Sequence, residues 1–218
     1  MKYGESAFDL LYLAFAIGVG VALLGRRRGG AVRLMGVAAL VLGLGDAFHL
    51  VPRMLNYFIP GDFTAALGFG KLVTSLTMTA FYGLLYRLWL IVYGEREDVR
   101  ITRALLLLAA ARAFFCVLPQ NRWLENGSSA LWGIVRNVPF AAIGCLLIAL
   151  YYKKRAAFAP FSSMWLWMAL SFLFYIPVAV LAGFAPMLGM LMLPKTVCYI
   201  LMLSAFWRAA RQRPAEGL

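Results

Sequence analysis

The chain has 218 residues, 63% of them hydrophobic, with a mean hydropathy of +0.81 and a formal net charge of +12. That hydropathy excludes an ordinary water-soluble globule, and seven spans of about 20 residues would leave only short connections, which excludes a separate soluble domain. The positive charge does not point to nucleic acid, because most of the cations lie in short connections between apolar runs, where they act as topology signals.

Seven apolar spans follow from the hydropathy: near Ala7–Leu24, Val32–Met54, Gly68–Trp89, Ile101–Leu118, Leu131–Tyr152, Met164–Gly183 and Met187–Trp207. Residues 1–218 therefore read as one all-α transmembrane bundle of seven helices. The first span is not a cleavable signal peptide, since Arg26, Arg27 and Arg28 follow its apolar run instead of preceding it. Alternate connections carry Arg33, then Arg87, Arg96, Arg100 and Arg103, then Lys153, Lys154 and Arg155, and the tail adds Arg208, Arg211 and Arg213. With all of these on one side, the N-terminus is expected outside and the C-terminus in the cytoplasm.

Polar residues within the spans carry the functional signal. On the second span, Asp46, His49 and Arg53 stand at i, i+3 and i+7 and so share a face. Asp46 is roughly 20 Å from Arg33 along the axis, just past the middle of a hydrocarbon core of about 30 Å. The connection Asn56–Leu67, with Pro60, Gly61 and Asp62, reads as a turn followed by a shallow outer segment. The third span offers a stripe of Lys71, Thr74, Ser75, Met78 and Tyr82. Arg112 on the fourth lies about 14 Å from Arg103, close to the midplane. Asn121 and Arg122 follow in the next outer connection, and Arg136 and Asn137 open the fifth span. Tyr175 and Pro177 occupy the outer half of the sixth, and Lys195 on the seventh is about 20 Å from Arg208. All of these groups fall at the midplane or on its outer side.

A charge inside a membrane helix is costly and faces a shared interior or a watery cavity. The cations Arg53, Lys71, Arg112, Arg136 and Lys195 outnumber the acids Asp46 and Asp9 within the spans, so several need an anion, a carbonyl or water. The expectation is a cationic pocket in the outer half that binds an anionic lipid, an amphiphile or a small organic anion. Arg53, Lys71, Thr74, Ser75, Arg112, Asn121, Arg122, Arg136, Asn137, Tyr175 and Lys195 are its candidate ligand-binding residues. In a lipid-active enzyme Asp46 would be the general acid or base, tuned by His49. In a small-anion transporter the same residues would bind carboxylate or phosphate, with Asp46 coupling a proton. A non-catalytic structural or regulatory subunit would use the charges only to join helices, Asp46 pairing with Arg112 or Lys195. One His and three Cys on separate helices (Cys116, Cys145 and Cys198) build neither a usual zinc site nor a bis-His haem, so no metal is expected.

Three resemblances bear on these readings. The runs Gly45-Asp46-Ala47-Phe48-His49-Leu50-Val51-Pro52-Arg53, Lys71 to Thr79, Leu118-Pro119-Gln120-Asn121, Arg136-Asn137-Val138-Pro139-Phe140 and Pro194-Lys195-Thr196 resemble a group of small bacterial seven-helix membrane proteins. That resemblance implies a multi-pass protein of the bacterial inner membrane and gives no activity. Locally, Gly45-Asp46 followed by Leu50 and Pro52-Arg53 is similar to the Gly-Asp helix of the lysoplasmalogenase-like (YhhN) family, polytopic hydrolases of the lysolipid vinyl ether. This similarity implies an acid/base role for Asp46, although that family's second intramembrane Asp late in the chain has no counterpart here. Finally, Lys195 on the seventh span, with Tyr175-x-Pro177 on the sixth, resembles a retinal-binding opsin, which would make retinal a cofactor on Lys195 and Asp46 its counterion.

Overall fold

The computed structural model describes residues 2–26, 29–127, 129–181 and 185–212. The topology signals Arg27, Arg28 and Arg213 and the expected end of the sixth span at Gly183 lie outside the described residues. Seven α-helices follow one another: α1 (Lys2–Leu24), α2 (Gly30–Phe58), α3 (Thr64–Tyr93), α4 (Val99–Val117), α5 (Ala130–Lys153), α6 (Met164–Leu181) and α7 (Met192–Gln212). There is no strand among the described residues. Six of the helices are long and apolar enough to cross a membrane. A seventh crossing is available if α4 is taken with the short 3-10 turns Pro119–Asn121 and Trp123–Glu125, which bend away from it by 65°.

The helices close into a ring. Each packs on its neighbours in sequence, and α7 returns to pack on α1 and α2. Leu23, Met35, Phe81, Leu85, Met202 and Phe206 fill the centre and are essentially inaccessible. An aromatic cluster of Tyr82, Phe140 and Phe172, with centroids 4.9–5.4 Å apart, links α3, α5 and α6.

Local chemistry sets the helix ends. Asp98 caps α4 by accepting from the Arg100 amide, and Ser129 caps α5 by accepting from the Trp132 amide. Gly94 closes α3 in the left-handed region at φ 62°. The connection after α2 is shorter than the sequence suggests: both flanking helices extend into it and leave residues 59–63 as a tight link. Asp62 stabilises it by accepting hydrogen bonds from Thr64, which hold its carboxyl below the ordinary carboxylate range. The seventh span also differs from expectation, since its outer end is a 3-10 turn over Pro186–Leu191. Pro194, which lacks an N–H, is accommodated in the first turn of α7.

The α2–α3 contact orients the polar face of α2. Pro52 cannot donate to the carbonyl of Phe48, which its position in the helix leaves without the usual partner. Gly70 of α3 fills that gap with bare backbone; a Cβ there would overlap the Phe48 carbonyl. Gly45 similarly admits Thr77, and the Thr74 hydroxyl donates to the Gly45 carbonyl at 3.0 Å. Gly83, further along α3, meets nothing. Thermal unfolding in detergent should therefore show Gly70→Ala destabilised by about 1–3 kcal/mol, as overpacking against backbone requires. Gly83→Ala should be neutral or stabilised by up to about 1 kcal/mol.

Candidate functional site

The polar interior has two sides that differ in charge. One is built by α1 and α2. Along α1, Glu5, Ser6, Asp9 and Tyr12 share a face, and across from them α2 presents Asp46, His49, Arg53 and Tyr57. Tyr12 donates to Asp46 Oδ2 at 2.6 Å. Arg53 forms an ion pair with Glu5, and Tyr57 joins it by donating to Glu5 Oε2 at 3.0 Å and accepting from Arg53 Nε at 3.3 Å. Asp9 is buried, close enough to Asp46 to feel its charge, and its Oδ2 has no partner among the described residues. This side holds its own cation and its own acids.

The opposite side is built by α4, α5, α6 and the turns after α4, where the one acid, Glu125, is exposed and pairs with Arg122. Arg112 is 1% exposed, the largest fully buried side chain among the described residues. Its guanidinium carbon lies 3.5 Å from the Phe140 ring centroid, and its side chain hydrogen-bonds Cys116 one turn on. Nε and Nη1 have no partner among the described residues. Guanidinium cannot shed its proton in a protein, so Arg112 carries a full charge into a site with no carboxylate within ion-pair distance among the described residues. Arg136 stands close enough to repel it and is held by the Asn121 Oδ1 at 2.8 Å and by the face of Trp123 at 4.5 Å. Tyr175 lies beside both arginines and donates to Asn137 Oδ1 at 2.8 Å.

α7 forms the seam between the two sides. The Lys195 Nζ lies 4.8 Å from the Tyr175 ring centroid and 5.2 Å from that of Tyr199. It interacts electrostatically with Asp46 on one flank and with Arg112 on the other. Tyr199, buried beside it, interacts with Asp46, Tyr82, Tyr175 and Arg112.

Of the residues the sequence singles out, Arg112, Arg136, Asn137, Tyr175 and Lys195 converge, with Asp46 adjacent through Lys195. Tyr12, rather than His49 or Arg112, is the hydrogen-bond partner of Asp46, and His49 Nδ1 has no partner among the described residues. Asn121 is wholly buried and makes a structural knot: its Nδ2 donates to the carbonyls of Phe115, Cys116 and Leu118, closing the end of α4, while its Oδ1 holds Arg136. Thr74 and Ser75 satisfy backbone carbonyls of α2 and α3. Lys71 donates to Asn126 in the outer connection at 2.7 Å, and Arg122 pairs with Glu125 there, exposed. The sequence reading passes over Glu5, Ser6, Tyr12, Tyr57 and Tyr199. The spacing of Glu5, Asp9 and Tyr12 at i, i+4 and i+7 was the available signal for α1, whereas Tyr199 among ten tyrosines carries none.

Among the described residues no group of three His, Cys, Asp or Glu side chains is placed to hold a metal ion. No protein-family model, curated protein or solved structure matches the chain.

Since Asn121 satisfies three carbonyls and one guanidinium in a buried setting, Asn121→Ala should cost at least about 1–3 kcal/mol in thermal unfolding. It should also loosen Arg136, which increased hydrogen exchange at the start of α5 would report.

Proposed function

We propose that the chain is a seven-span membrane protein, N-terminus outside and C-terminus cytoplasmic, whose outer half binds a small anion bearing a carboxylate or phosphate group. The observation that carries this reading is Arg112, a fully buried guanidinium with two nitrogens unpaired and no acid to neutralise it among the described residues. An unpaired buried cation is strongly penalised, and Lys195 beside it compounds the cost. An anion between Arg112 and Lys195, with Arg136 behind, removes that penalty. Arginine takes an oxyanion with a two-pronged fork and lysine adds a point charge. The tyrosine hydroxyls of α6 and α7 and the aromatic floor of Phe140 suit an organic anion, free or as the head group of an amphiphile.

Asp46 gives this binding a proton response. Ionised Asp46 partly neutralises Lys195. Protonated Asp46 leaves the ammonium to the anion, so binding strengthens as pH falls through the titration of Asp46. Uptake of a proton with an anion is the behaviour of a coupled carrier, and it assigns Asp46 a coupling role instead of hydrolytic chemistry.

Two variants test these points. Arg112→Met should cut thermal stabilisation by added sulfate at least about tenfold in apparent affinity, as loss of a charge-assisted hydrogen bond worth about 1.5–3 kcal/mol requires. In the absence of anion its stability should be no lower than that of the parent protein. A loss of about 3–5 kcal/mol would instead identify Arg112 as half of a structural pair and overturn the reading. Sulfate keeps its charge across the neutral range, so its affinity should rise on acidification in the parent protein and be high and flat in Asp46→Asn.

A further inference from the structure

The basic end of the bundle has a second feature of a different kind. A groove of about 440 Å³ runs between α1 and α7. On α1 its floor is Ala14, Gly18 and Ala22, one helical face of small, exposed residues, and Gly18 opens onto empty space. On α7 its wall is Ser204, Trp207 and Arg208. At the mouth, the guanidinium of Arg26 lies 4.2 Å from the Trp207 ring centroid and that of Arg211 lies 5.4 Å from it. Three arginines thus surround one tryptophan where the groove reaches the helix ends. None of the three forms an ion pair among the described residues, although Arg87 and Lys154 at other helix ends each find a glutamate.

The dimensions match one leaflet. From Ala14 to Arg26 is about 18 Å along the helix, close to half of a hydrocarbon core of about 30 Å. An apolar trough of that depth, ending at three unneutralised guanidinium groups beside a tryptophan at the expected height of the interface, is complementary in shape and charge to a single lipid. We propose that this groove holds an acyl chain of an anionic phospholipid, with its phosphate bound by Arg26, Arg208 and Arg211. The proposal requires the basic helix ends to meet a membrane surface, and it is independent of the anion site around Arg112.

The test is native mass spectrometry of the full chain in detergent, equilibrated with equal amounts of phosphatidylglycerol and phosphatidylcholine of identical acyl chains. The parent protein should retain the phosphatidylglycerol several-fold over the phosphatidylcholine. Gly18→Leu, whose Cβ meets nothing within 4 Å and whose side chain occupies the groove, and Arg208→Ala, which removes a head-group contact, should each reduce that retention several-fold. Arg87→Ala, which removes an exposed arginine that does not line the groove, should leave it unchanged, which separates capture by this groove from general surface charge. Equal retention of the two lipids, or unchanged retention in Gly18→Leu, would overturn the proposal. So would a dimer that Gly18→Leu dissociates without any lipid adduct, because the groove would then seat a second copy of the chain.

Discussion

The cost of a charge in a medium that cannot solvate it governs this structure. Between α1 and α2 that cost is met internally: Glu5 faces Arg53, Tyr57 bridges them, and Asp46 takes the Tyr12 hydroxyl at 2.6 Å. Around Arg112, among the described residues, the same requirement is met by a poorer partner. Arg112 rests on Phe140, and Arg136 rests on Trp123 and the Asn121 amide. Aromatic faces and amide oxygens attract a cation but do not neutralise it, and cation–π contacts give a few kcal/mol at most. The imbalance between the two sides is what the proposed anion site rests on.

That imbalance is held in place by backbone packing. Pro52 denies the Phe48 carbonyl its usual donor, and Gly70 brings α3 against it. With Gly45 against Thr77, this leaves α2 little freedom to rotate about its axis, so Asp46 is presented toward α1 and α7. Asn121 has the corresponding part on the other side. It closes the end of α4 about five turns from its capped start and, with its remaining oxygen, positions Arg136. In both places a small or amide side chain stabilises a helix end or crossing and thereby aims a charged one.

α7 joins these two halves through Lys195 and Tyr199. A lysine placed between a carboxylate and an arginine is pulled one way and pushed the other, and its position responds to whether the carboxylate is ionised. Under the proposed function, it is this arrangement that couples protonation on α2 to anion binding on α4.

The all-helical, apolar character was legible because apolar runs of the required length have few other uses, and six of the expected spans correspond to helices long enough to cross a membrane. The shared face of Asp46, His49 and Arg53 was legible because helical periodicity is a local property. Partnership was not legible. Asp46 lies near Lys195 but hydrogen-bonds Tyr12, Arg53 meets Glu5 at the start of α1, and Asn121 serves backbone carbonyls instead of a ligand. These choices depend on how helices distant in sequence are rotated against one another, which glycine contacts and a single proline decide by steric exclusion. Composition and periodicity thus determined that the chain is built of apolar helices and which of its charges share a helix face. Only the tertiary packing decided which of those charges are neutralised, because neutralisation requires two side chains to meet in space and no pattern along one helix encodes its neighbour's orientation.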